Sequence, residues 1–116
     1  MIRWAELLAL GLFLSCGQAR SAGPLRVEAM VAGSNTRLVL LAAPGYRINS
    51  RLEPALELAG DTVIRFHGSS LTSDSSYFAT PPIAILPGRR REIHGTLRAS
   101  ICDPGAEVCR TLEVSL

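Results

Sequence analysis

The stretch that decides the fold is residues 91–116, "REIHGTLRASICDPGAEVCRTLEVSL". In its first half Ile93, Leu97, Ala99 and Ile101 occupy odd positions, while His94, Thr96, Arg98, Ser100 and Cys102 occupy even ones. An extended chain with that period has one apolar and one polar face. In the second half the apolar residues Val108, Leu112, Val114 and Leu116 are even, and Cys109 shares its face with Thr111, Glu113 and Ser115. Pro104-Gly105 lies between the halves and is a turn signal. With Cys102 facing Cys109 across a hairpin, Arg98 falls opposite Glu113, Thr96 opposite Ser115, Leu97 opposite Val114 and Ala99 opposite Leu112. Opposite charges then meet and apolar residues meet. Each such pair contributes roughly 0.2–1 kcal/mol, so the register is supported by residues other than the cysteines. The expectation is a disulfide across a hairpin, on its outward, polar face.

Upstream, the same period-two pattern recurs in short runs broken by Gly, Pro, Asn, Asp and Ser. "PLRVEAMVAG" alternates at Leu25, Val27, Ala29 and Val31, and "TRLVLLAAPG" follows the turn residues Gly33-Ser34-Asn35. "LEPALELAG", "DTVIRFHG", the loop "SSLTSDSSYFATPP" and the apolar run "IAILPG" complete the series. No segment sustains a helical stripe and no repeat is visible; residues 52–58 alone could support a helical turn. About seven strands with regular turn signals predict an all-β, immunoglobulin-like antiparallel sandwich ending in the cysteine hairpin.

The front of the chain, "MIRWAELLALGLFLSCGQARSAG", has an early arginine, an apolar run from Leu7 to Leu14 and then small residues up to Ala22. That layout predicts a secretory signal peptide over residues 1–22, with cleavage after Ala19 or Ala22 and one domain over residues 23–116. The apolar run is shorter than the roughly 20 residues of a membrane span. Cleavage discards Cys16 and leaves Cys102 and Cys109 as the only pair, in a periplasmic or other extracytoplasmic compartment where they can be oxidised. A lipoprotein alternative lipidates Cys16 and is the one route by which this chain would meet a membrane.

Composition narrows the function classes. The net charge is +2, all basic residues are arginine, and Arg89-Arg90-Arg91 follows the turn pair Pro87-Gly88 without interleaved aromatics. A solvated turn flank is the expected role, and no nucleic-acid partner is implied. His67 and His94 do not make a zinc site with the cysteines: His94 lies about 26 Å from Cys102 along an extended strand. No metal and no cofactor are expected. Ser69, Ser70, Ser73, Ser75 and Ser76 form a polar loop without the His and acid spacing of a hydrolase, and no phosphate-binding glycine loop is present.

The cysteine pair leaves a staple and an exchange centre both open. A bridge closing an eight-residue loop is worth about 2.5 kcal/mol by chain entropy, and a hairpin already supplies much of that closure. Bridges between neighbouring strands tend to depart from relaxed geometry, and exposed or strained bridges are the readily reduced ones. The neighbours Arg110 and Asp103 would favour the thiolate at Cys109 over that at Cys102.

In the order of "PGYRINS", "DSSYFATPP", "LPGRRREIHGTL" and a terminal "CDPGAEVC", the chain resembles the N-terminal periplasmic domain of the thiol:disulfide interchange protein DsbD. It also resembles related domains found beside thioredoxin-like and NHL-repeat modules. The resemblance implies an immunoglobulin-like domain whose pair passes electrons between a membrane reductant and thioredoxin-like or other exported thiol proteins, as in cytochrome c biogenesis. It implies that Cys109 forms the mixed disulfide, that Cys102 resolves it, and that Tyr77 and Phe78 cap the pair until a partner docks. The chain departs from the family at Ala99-Ser100-Ile101 before the first cysteine and at Arg110-Thr111-Leu112 after the second. The expected function is thiol:disulfide exchange; the alternative is a non-catalytic, disulfide-stapled binding module of the cell envelope.

Overall fold

The computed structural model describes residues 18–68, 70–105 and 108–116, with the backbone alone for residues 18–22. The signal-peptide reading of residues 1–17, Cys16 included, falls outside the described residues, as does Ser69.

Among the described residues are nine strands: β1 Gln18–Ala22, β2 Leu25–Ala32, β3 Asn35–Ala42, β4 Arg47–Ile48, β5 Ala55–Leu58, β6 Thr62–Arg65, β7 Ile83–Pro87, β8 Gly95–Cys102 and β9 Cys109–Ser115. All pairings are antiparallel. The first sheet runs β1-β2-β3-β7. In the second, β9 lines one edge of β8 from Thr96 to Cys102, so β4 and β5, which pair with the two ends of β8, share its other edge. They act as one strand interrupted at residues 49–54, and β6 flanks β5. In immunoglobulin terms β2, β3 and β7 are A, B and E, and β9, β8, β4/β5 and β6 are G, F, C and C′.

Alternation builds the core between the sheets. Leu25, Val27 and Ala29 of β2, Leu38 and Leu40 of β3, Ala84 and Leu86 of β7 and Leu97, Ala99 and Ile101 of β8 are buried, and the residues between them on β2 and β7 face solvent. Phe66 is the largest fully buried side chain. It sits where the chain leaves one sheet for the other: Arg65 pairs with Ala55 in the second sheet, and His67 bridges Ile83 of the first. Thr36, fully buried, donates from Oγ1 to the Gly88 carbonyl at 2.8 Å and accepts the Arg90 amide at 2.8 Å. These bonds pin the Pro87-Gly88 turn, where Gly88 has φ 86°, and leave the arginine run exposed as a turn flank.

Three sequence expectations change. Within residues 52–58, where the sequence leaves a helical turn open, residues 55–58 form strand β5, because Leu56 faces both Ile64 and Leu97 in the sheet. Strand β8 begins at Gly95 rather than Arg91, where its partners begin: Leu58 of β5 stands opposite Gly95, and the Leu116 amide bonds the Gly95 carbonyl. Two further strands appear, β1 within residues 1–22 and the two-residue β4 within "PGYRINS".

Candidate functional site: the bridged hairpin

The β8–β9 ladder pairs Cys102 with Cys109, Arg98 with Glu113, Thr96 with Ser115, Leu97 with Val114 and Ala99 with Leu112, as the alternation predicts. The Asp103 amide bonds the Val108 carbonyl, which makes 103/108 a hydrogen-bonded pair and 102/109 the next, non-hydrogen-bonded one. Side chains stand closest at such positions. The Cα atoms of Cys102 and Cys109 are 4.0 Å apart and their sulfurs are bonded.

The two halves of the bridge differ in surroundings. Cys102 is 0% exposed and Cys109 lies at the surface, so the expectation of a pair wholly on an open face is corrected for Cys102. Its row across the sheet runs Arg47, Cys102, Cys109. Cys102 is the middle member, with Arg47 on one side and its bridge partner on the other. The Arg47 guanidinium carbon lies 4.0 Å from the centroid of the Tyr77 ring, a cation–π stack at the shielded end of the row. Ser100, one row along, is buried for a related reason: Asn49 stands on one side and Thr111 on the other. Gly45, at φ 87°, brings the "PGY" turn against the hairpin loop; a Cβ there would lie 3.1 Å from Pro104 Cβ.

Tyr77 and Phe78 are divided between two faces. Tyr77 bridges Asn49 and stacks on Arg47 on the outward side, whereas Phe78 donates its amide to the Ile48 carbonyl and packs against the core. The Phe78 ring occupies the space a Cβ on Gly68 would need. Adjacent residues of an extended chain point to opposite sides, so one aromatic lies beside the neighbour of the bridge and the other is built into the sandwich.

The loop presenting Tyr77 is ordered by Asp74. Its Oδ1 accepts from the Thr72 hydroxyl at 2.8 Å and the Ser76 amide at 3.1 Å, while Thr72 exchanges backbone contacts with Ser75 and Tyr77. The Thr72 hydroxyl, and after it the Ser76 amide, hold the Asp74 carboxyl below its ordinary value of 3.8. A lowered folded value means that the ordering is complete above 3.8 and is lost as pH falls through the lower, folded value. Acidification through that range is expected to shift the Tyr77 ring resonances in NMR spectra, and Asp74→Ala to give the acid-type spectrum at neutral pH. An unchanged Tyr77 environment in the variant would show that the loop is held by other bonds.

Arg110 and Asp103 pair with each other at 3.5 Å. They stand opposite Ile101 and Val108, on the face away from the bridge. On the bridge face, Arg98 lies between Glu57 at 2.8 Å and Glu113 at 3.7 Å. His67 and His94 are exposed beside Glu53 and Glu92. Among the described residues no group of three or more His, Cys, Asp or Glu side chains could hold a metal ion.

Chemically, a thiolate that displaces Cys102 from the Cys109 sulfur approaches from the side away from β8. There β9 is the edge of the sheet, pairing with β8 alone among the described strands. On its far side Cys102 has β4 beside it, with Arg47 as its register partner.

A scan of protein-family models, a search of curated proteins and a search of solved structures each give no match to this chain. The class defined by fold and site together is a disulfide-stapled, immunoglobulin-like β-sandwich with its bridge across the last hairpin.

Proposed function

We propose that this chain is an exported binding module whose bridge is structural, holding the β8–β9 hairpin for contact with another protein of the cell envelope. The observation that carries the reading is the register. The bridge joins two strands already paired over seven positions, and Cys102 is enclosed between Arg47 and its partner. A bond so placed fixes the end of a hairpin that a partner can read as a rigid surface. Arg110, next to Cys109, is paired with Asp103, next to Cys102.

A second reading, thiol:disulfide exchange as in the DsbD-like domains, is favoured by the surface position of Cys109 at an open strand edge. In that chemistry a partner thiolate bonds to the Cys109 sulfur and the Cys102 sulfur leaves as a thiolate that takes up a proton. A second partner thiol then resolves the mixed disulfide, so two electrons and two protons enter the domain as the partner is oxidised. Delivery of electrons to a thioredoxin-like partner is the reverse sequence, with Cys102 resolving.

The reduction potential of the pair separates the readings. A structural bridge is expected below about −300 mV. A value well above that, together with faster reduction by dithiothreitol in a folded Tyr77→Ala variant, would replace the first reading by the second.

A further inference from the structure

The outward face of the first sheet, opposite the sheet that carries the bridge, holds a cleft of about 510 Å³. Its floor is Val39 of β3 and Ile83 of β7, neighbours in the ladder, and Thr80 and Pro81 form one wall. His67, tied to Ile83 by two backbone bonds, forms another. Arg37 supplies the remaining side. The volume is within the roughly 300–1,000 Å³ usual for small-molecule sites.

Arg37 is the unusual member. Its guanidinium has no hydrogen bond or ion pair among the described residues, although carboxylates stand nearby. Glu28, opposite Val39, is taken by Arg26 at 3.1 Å, and Glu53 lies against His67 and Arg65 at 3.8 and 4.0 Å. In its own row the guanidinium is flanked by Met30 and Ile85, which are 67% and 48% exposed. Single exposed aliphatics need no explanation, but aliphatics on both sides of an unanswered cation, continuous with a cleft, form a surface suited to an amphiphilic anion. A guanidinium also matches a carboxylate with two parallel N–H donors.

We infer that this cleft binds a small carboxylate with an aliphatic body, the carboxylate on Arg37 and the aliphatic part on Val39 and Ile83. The inference stands whether or not the bridge exchanges thiols, since no residue that lines the cleft belongs to the cysteine row. Two sources share that chemistry: a free medium-chain acid, and the C-terminal residue of a polypeptide ending in an aliphatic side chain.

The test is methyl NMR of the whole domain during titration with octanoate in one arm and, in the other, an acetylated tetrapeptide ending in leucine with a free carboxylate. Octanamide and the C-terminal amide of the same peptide serve as neutral counterparts. The Val39 and Ile83 methyls are expected to shift with a carboxylate and not with its amide, and Arg37→Gln is expected to weaken binding about tenfold. Shifts with octanoate alone assign the free acid; shifts with the peptide assign a polypeptide terminus. If Arg37→Gln lowers the melting temperature, Arg37→Lys takes its place and is expected to weaken binding about threefold, because the charge remains while the two parallel donors are lost. The inference is overturned if neither carboxylate moves these methyls at about 10 mM, if the amides bind equally well, or if Arg37→Gln binds as the parent does.

Discussion

Phe66→Ala is expected to lower the unfolding free energy by about 3–5 kcal/mol, the largest effect of any truncation in this domain. Phe66 is fully buried, and its amide bonds the Pro54 carbonyl at 2.9 Å. Removing the ring takes its apolar surface out of the core and leaves a cavity. Collapse around that cavity is restricted because the backbone on either side is committed, Arg65 to the second sheet and His67 to the first. For a domain of this size a loss of 1 kcal/mol corresponds to about 4–8 °C in melting temperature, so a fall on the order of 20 °C is expected. Urea denaturation of the oxidised protein measures the effect directly. A change under about 1 kcal/mol would mean that Phe66 does not fill the space between the sheets.

Gly95→Ala is expected to cost about 3 kcal/mol although it adds one methyl group. A Cβ at Gly95 would lie 2.4 Å from the Glu57 carbonyl oxygen and 3.2 Å from a Leu56 methyl. The first contact is with backbone, so no side-chain rotation relieves it; β5 and β8 must move apart. Their separation breaks the pairing that runs from Leu58 opposite Gly95 to Ala55 opposite Arg98. Hydrogen exchange is the informative measurement. Protection is expected to fall in β5 and in the first half of β8 while the β2–β3 ladder keeps its own. Uniform loss over both sheets, or none, would contradict this local account.

These two residues mark the limit of what alternation reveals. The face assignments of β2, β8 and β9 follow from period two, and the β8–β9 register follows from pairing charges and apolar residues without reference to sulfur. The special role of Gly95 depends on the approach of Glu57, 38 positions away, and nothing near Gly95 in the chain signals it. Burial of Cys102 was hidden for a similar reason. Its polar neighbours in sequence place it on the outward face correctly, but a short strand, β4, lies alongside there and Arg47 closes the row. A two-residue strand has too few positions to show a period. The split between Tyr77 and Phe78 was legible only as a pair of aromatics after a polar loop; the partners that choose their faces, Arg47 and Gly68, come from elsewhere. Arg37 gave no signal, since a lone arginine in an amphipathic strand reads as solvated surface.

The interrupted strand formed by β4 and β5 also bears on the order in which a chain of this design can be completed. Neither piece can complete its ladder until β8 exists, because β8 is the element that joins β4 to β5 and carries β9 on its other side. During synthesis, the first sheet can pair β2, β3 and β7 while the opposite half of the core still lacks its central strand. Contacts spanning such long stretches form slowly because loop closure precedes any gain from packing. The second sheet therefore remains incomplete until residues 95–102 have emerged, and the two sulfurs are brought into register by the same event that closes the core.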